Sequence, residues 1–206
     1  MGRLIAAVYD ASMRGTEEAC LRQWRADLLR DLSGAVLEIG AGTGLNLPHY
    51  PESVSRLVLS EPDPFMRRKI EEKVRAGHRA GVEIVDAPVE RLRFPDASFD
   101  AVVATLVLCS VPRVDAALAE VRRVLKPGGR FVFLEHVAAE ALPRRLRWQR
   151  IVEPLWKRVS GNCHLTRRTE SAIIEGGFAL RDIKRESMRK AWPLVRRTVR
   201  GFAVPA

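Results

Sequence analysis

The stretch VLEIGAGTGLN, residues 36–46, places an apolar run and one acid, Glu38, ahead of glycines at 40, 42 and 44. Such a run reads as a strand entering a turn that lies close to a ligand. Glycine lets the backbone approach and takes positive φ without steric cost. The spacing fails the dinucleotide pattern G-x-G-x-x-G, because Leu45 stands where the third glycine belongs. No G-K-[ST] follows, so a phosphate loop fails as well. Glu38 repels a pyrophosphate but suits a ligand that carries positive charge. A second acid, Glu61, lies 21 residues after Gly40. A strand-end carboxylate at about that distance accepts hydrogen bonds from ribose hydroxyls. S-adenosylmethionine, with its sulfonium and ammonium groups on a nucleoside, meets both demands.

The elements that must hold these residues alternate. Residues 16–32 carry Ala19, Cys20, Trp24, Leu28 and Leu32 at helical spacing, with Thr16, Glu17 and Glu18 as an acidic start. The segment before them reads as a mobile first helix. AVLEI (35–39), RLVLSE (56–61), VEIVDA (82–87), the opening of FDAVVATLVLCSV (99–111) and GRFVFLEHV read as five strands. Helices separate them, from Pro64 to Gly77 and over VDAALAEVRRVLKPGG, which Pro127, Gly128 and Gly129 close. A basic helical stretch (143–160) and the helix TRRTESAIIEGG follow. FALRDIKRE and RTVRGFAVP then form a final pair of strands at the sheet edge. Strand–helix alternation predicts an α/β fold, a doubly wound, mostly parallel sheet with helices on both faces.

The glycine loop, Glu61, Asp86-Ala87 after the third strand, FPDASFDAVVA and LKPGGRFVF occur in one order at ordinary spacings. Along residues 35–135 this pattern resembles the class I S-adenosylmethionine-dependent methyltransferases. The resemblance implies a Rossmann-like sheet of seven strands with the last one antiparallel, in a single domain spanning 1–206. Residues 1–34 would be a helical lid, 35–137 the cofactor-binding core, 138–175 an inserted acceptor segment and 176–206 the final strands. It also implies roles. Gly40, Ala41, Gly42, Gly44 and Asn46 would line the methionine and ribose, with Glu38 near the ammonium group or the loop amides. Glu61 would hold the ribose hydroxyls. Pro62 and Met66 would flank adenine, Asp86 and Ala87 would face its amino group and ring, and Thr105 and Leu106 would border the methionine end. S-adenosylhomocysteine would be the product.

TLVLCSV (105–111), FLEHVAAE (133–140), WQRIVEPLWKRVSGNCHLTRRT (148–169) and GFAV (201–204) resemble a narrower group, the alkyl-thiol S-methyltransferases. This implies a small thiol or sulfide as acceptor. A thiol has a reference pKa of about 8.5 and ionises near neutral pH without a strong base. His136 and His164 are the candidates for orienting the acceptor, beside Cys109, Glu135, Cys163, Trp148 and Trp156. Other readings stay open. They are a phospholipid N-methyltransferase acting on phosphatidylethanolamine, a methyltransferase for another small molecule, and a cofactor-binding regulator without catalysis.

Composition bounds these readings. The chain has 206 residues, and no stretch approaches the roughly 20 apolar residues that span a bilayer. Three distant cysteines point to a reducing, cytoplasmic setting. Cys163-His164 has no second close pair, so no metal site is expected. Residues 1–142 carry 19 basic and 20 acidic side chains, whereas 143–206 carry 16 and 5. That basic final third attracts anionic membrane surfaces. No nucleic-acid-reading module accompanies it.

Overall fold

A computed structural model describes residues 3–77, 79 and 81–206. Seven strands form one sheet: β1 (Ala35–Ile39), β2 (Arg56–Ser60), β3 (Val82–Val85), β4 (Phe99–Thr105), β5 (Leu125–His136), β6 (Phe178–Ser187) and β7 (Arg197–Pro205). Their order is β3-β2-β1-β4-β5-β7-β6, with β7 antiparallel to both of its neighbours and the other pairings parallel. The expected doubly wound, seven-stranded sheet is therefore present, with its single antiparallel strand last in sequence.

The central strands are apolar on successive residues because both of their faces are covered. Leu37, Ile39, Val102, Phe131 and Phe133 pack on one face with α4 (Val114–Val124) and α6 (Thr169–Glu175). Val36, Leu57, Leu59, Val103 and Val132 pack on the other, with Leu29 of α2 (Arg22–Leu29) and Ile70 of α3 (Pro64–Arg75). Strand order reverses between β1 and β4. The cleft outside the carboxyl ends of an open α/β sheet at such a point is where ligands bind.

Two expected boundaries shift, and the first helix makes contacts of its own. Thr16 does not start a helix. It lies inside a continuous run from α1 (Arg3–Thr16) through one π turn (Glu17–Leu21) into α2, and its side chain caps nothing. Glu17 is taken up by a buried ion pair instead of an exposed first turn. The first helix, read as mobile, is tied down: Asp10 accepts from Lys73 Nζ of α3 at 3.0 Å and from Thr43 Oγ1 at 2.5 Å. The helix α4 stops at Val124, before the Pro-Gly-Gly turn, because Leu125 already pairs with Phe99 of β4.

Candidate active site

The loop after β1 takes positive φ at Gly40, Gly42 and Gly44. Two of these positions have distinct reasons. A side chain on Gly40 would run into Val107, which follows β4. Among the described residues, a methyl on Gly42 would meet no atom within 4 Å, and it borders a cavity of about 330 Å³. That cavity lies at the carboxyl ends of β1, β2 and β4. Gly40, Ala41 and Gly42 line one side, and Glu61, Pro62 and Met66 line the next. Thr105 and Leu106 close the third. Leu106 is held at φ 57, with its N–H donated to Leu134 O at 2.8 Å.

Glu61 is set for a hydroxyl-bearing ligand. Its two oxygens accept from the backbone of Gly42 (2.8 Å) and Asp63 (2.9 Å). Each carboxylate oxygen retains a further lone pair. Burial raises its pKa despite these two amides. The open space at Gly42 beside a fixed, buried carboxylate fits a nucleoside, and an acid at that point fits one that bears positive charge.

Five expected cofactor residues lie elsewhere. Gly44 packs behind the loop, where a Cβ would come within 2.9 Å of Leu47 Cδ1. Asp86 points outward and pairs with Arg67 at 3.0 Å, and Ala87 is buried, its carbonyl accepting from Ser60 Oγ. The cavity wall after β3 is formed by Pro88, Val89 and Glu90. Glu38 and Asn46 sit beneath the loop in a buried network. Glu38 accepts from Tyr50 Oη (2.7 Å) and Asn46 Nδ2 (2.9 Å). Asn46 Oδ1 in turn accepts from Arg25 Nη1 (2.8 Å), which also reaches Thr105 Oγ1 at 3.0 Å. Arg25 Nη2 pairs with Glu17 Oε1 at 3.0 Å. Burial pushes Glu38 up to about 7, against the pull of Tyr50, Asn46 and Arg25.

Tyr50 and the cavity-lining Tyr9 and Arg25 are not singled out by the sequence, and Glu17 is read there only as part of an acidic helix start. Tyr9's phenol is pushed up to about 12, chiefly by burial. For Arg25 a signal existed. It stands four residues after Leu21 and four before Leu29, inside the apolar stripe of its helix. A charge at that position needs a buried partner.

On the acceptor side, Glu135 of β5 gathers the turn after β4. Its carboxylate accepts from the amides of Val107 (2.9 Å), Leu108 (2.9 Å) and Cys109 (3.4 Å). Burial pushes Glu135 up to about 7 all the same. His136, the next residue, is buried with Nε2 3.0 Å from Cys163 Sγ. The contact with Cys109 holds the Cys163 thiol well down, with His136 adding to it, and pushes Cys109 up. Neither histidine lines the cavity. His164 lies 3.7 Å from Glu153 at a separate surface cleft, with its pKa lowered by burial. The cavity wall there consists of Leu106, Val107, Ser110, Val111, Pro112 and Gly161. Trp148 is exposed on the outer face of α5 (Pro143–Val159), and the Trp156 ring packs against Trp192 at 6.1 Å with the planes tilted by 46°.

Comparison with known proteins gives this geometry a family. Residues 37–133 match the methyltransferase domain family. The chain is 36% identical over 172 residues to the human thiol S-methyltransferase TMT1A, covering 82% of this chain and 70% of that protein. It is 32% identical to a phosphatidylethanolamine N-methyltransferase of Cereibacter sphaeroides, covering 66% of this chain and 67% of that one. A SAM-dependent methyltransferase from Thermotoga maritima shares the fold, with a TM-score of 0.70 at 18% identity, over 99% of this chain and 97% of that chain. The chain belongs to the class I S-adenosylmethionine-dependent methyltransferases and is an enzyme of that kind.

Proposed function

We propose that this methyltransferase transfers a methyl group to a small thiol or sulfide. One observation carries the reading. Among the described residues, the wall beside Leu106 is formed by Val107, Ser110, Val111, Pro112 and Gly161, none of them a carboxylate or an imidazole, and the neighbouring Glu90 carboxylate accepts from Arg113 N at 3.4 Å. An amine with a pKa near 10 must be deprotonated before it attacks, whereas a thiol near 8.5 supplies its own nucleophile. A base-free wall suits the second. The 36% identity to a thiol S-methyltransferase points the same way.

The cofactor, when bound, supplies an electrophilic sulfonium methyl group. The chain's own residues bind and align. Gly42 leaves room for the ligand, Glu61 accepts from ribose hydroxyls, and Pro62 and Met66 flank the base. Leu106 and Val107 keep water from the acceptor sulfur. Holding the reactants in line is most of the catalytic task. The helices before β1 act as a lid, with Tyr9 closing over the cavity, and the segment 138–175 shapes the acceptor side.

A second reading has its own observation. Trp148, Ile151, Leu155 and Val159 form an exposed apolar stripe along α5, each more than half accessible. Arg144, Arg147 and Arg150 stand exposed on the same helix. No helix among the described residues is long and apolar enough to cross a membrane. A basic, aromatic-bearing helix of this kind rests on an anionic bilayer instead. On that surface the acceptor would be a lipid amine. The experiment is one assay with two arms, following S-adenosylhomocysteine and methylated product by mass spectrometry. One arm offers sulfide and alkyl thiols, the other phosphatidylethanolamine vesicles. Product in the thiol arm alone is expected. Product in the lipid arm alone overturns the thiol reading and makes α5 a docking helix.

A further inference from the structure

Cys109, His136 and Cys163 come from three separate elements: the turn after β4, the end of β5 and the turn after α5. Their ligand atoms, two sulfurs and one imidazole nitrogen, lie within 4.8 Å of one another, and all three residues are buried. We propose that these three residues form a binding site for a thiophilic divalent cation, with zinc the first choice.

The geometry is close to that of a tetrahedral centre. Bond lengths of about 2.3 Å to sulfur and 2.0–2.1 Å to nitrogen place ligand atoms roughly 3.5–3.8 Å apart. The Nε2–Cys163 Sγ pair, at 3.0 Å, opens by about half an ångström around an ion, and the other separations, none above 4.8 Å, close by up to about 1 Å. Two sulfurs and an imidazole are the donor set that selects zinc over hard cations. Two thiolates balance the charge of the dication, and the protons they give up pass to solvent. Three protein donors leave one position for a ligand from outside the trio.

The donors are held in place by bonds of their own. Glu135 fixes the amide of Cys109, and the Cys109 carbonyl accepts from His164 N at 2.8 Å. The backbone of His136 pairs with Thr198 of β7. Gly161 and Asn162 both take positive φ, which turns Cys163 back toward the sheet, and Asn162 Nδ2 donates to Ser110 O at 2.9 Å. His136 Nδ1 is buried with no hydrogen-bond partner among the described residues. The nitrogen that faces Cys163 is Nε2, so Nε2 is the ring atom that would meet the cation. Ser110 and Gly161, each next to the site, line the catalytic cavity. A cation here would clamp together the two turns that form the acceptor wall. The proposal does not depend on which acceptor the enzyme uses.

The test uses the full chain, purified without a chelator or a histidine tag, in a phosphine reductant. Its metal content is measured by plasma mass spectrometry, and it is then titrated with Co2+. The expected result is about one equivalent of zinc as isolated, or one equivalent of cobalt taken up with thiolate-to-cobalt charge-transfer absorption that zinc abolishes. Cys109→Ser and Cys163→Ser should each weaken binding by roughly 100-fold or more, since even residues behind the ligands cost 10–100-fold. Cys20→Ser, a buried thiol elsewhere, should leave it unchanged. A folded wild-type chain that holds neither metal at stoichiometry overturns the proposal. So does cobalt absorption that survives both serine variants.

Discussion

Two buried polar clusters flank the cavity, and they are built on different terms. The one beneath the glycine loop joins Glu17, Arg25, Asn46, Glu38, Tyr50 and Thr105 in a closed circuit of hydrogen bonds. The one beside the acceptor wall brings together Glu135, His136, Cys109 and Cys163 and leaves one imidazole nitrogen without a partner among the described residues. A buried network satisfied throughout fixes one geometry, while a partly satisfied one specifies its geometry less tightly. The cofactor side is thus set in advance, and the acceptor side is the part left open.

The largest test of this contrast is Arg25→Ala. It strips Glu17 of its cation and Asn46 of a donor, and breaking a buried pair costs about 3–5 kcal/mol. Urea denaturation should show a loss of that size. A loss under about 1 kcal/mol would mean that water reaches the circuit. Next comes the pH response of Glu38, whose folded pKa of about 7 stands above its ordinary 4.5. The folded state holds the proton more tightly, so the contribution is fully present below pH 4.5 and is lost as pH rises through 7. Glu38→Gln should remove a decline on the order of 3 kcal/mol across that window in stability–pH curves. Glu135, also near 7, keeps a slope of its own in the variant. An unchanged curve would place Glu38 outside the closed circuit.

Smaller effects sharpen the contrast. Glu61→Gln keeps one acceptor oxygen but loses the charge that ribose hydroxyls meet. Hydrogen bonds to charged groups are worth about 1.5–3 kcal/mol, so calorimetry should show cofactor affinity falling roughly 10- to 100-fold. Equal affinity would remove Glu61 from the nucleoside site. On the acceptor side, Asn162→Ala gives up the bond to Ser110 and puts a side chain at φ 66 that glycine or asparagine tolerates. The expected cost is about 1–2 kcal/mol, with Asn162→Gly costing less. Equal losses in the two variants would show that the turn's conformation contributes nothing.

Much of the cofactor half was legible because it is local. A strand, a glycine turn and a strand-end acid lie within 26 residues, and Gly42, Glu61, Pro62 and Met66 do line the cavity. Glu38, expected near the loop amides or the ammonium group, and Asn46, expected along the methionine and ribose, bond to one another beneath the loop. Sequence distance cannot tell a residue that faces a ligand from one that faces the back of the loop. Asp86, expected at the adenine amino group, pairs with Arg67 after β3, while Pro88 and Val89 stand at the cavity wall.

The acceptor half was not legible. His136 and His164 are the sequence's candidates for orienting the acceptor, yet they diverge, His136 inward to Cys163 and His164 outward to Glu153. Cys109, His136 and Cys163 are 27 residues apart at each step, far outside any ligand spacing that a sequence displays. The sequence by itself determined the α/β order, the nucleoside-binding turn and the basic final third, because apolar periodicity, glycine and charge act over a few residues. Only the tertiary structure decided that Arg25 closes a circuit under the loop and that two thiols meet an imidazole. Both follow from how the strand ends and the helical turns are stacked, and that stacking is fixed by packing across the whole sheet.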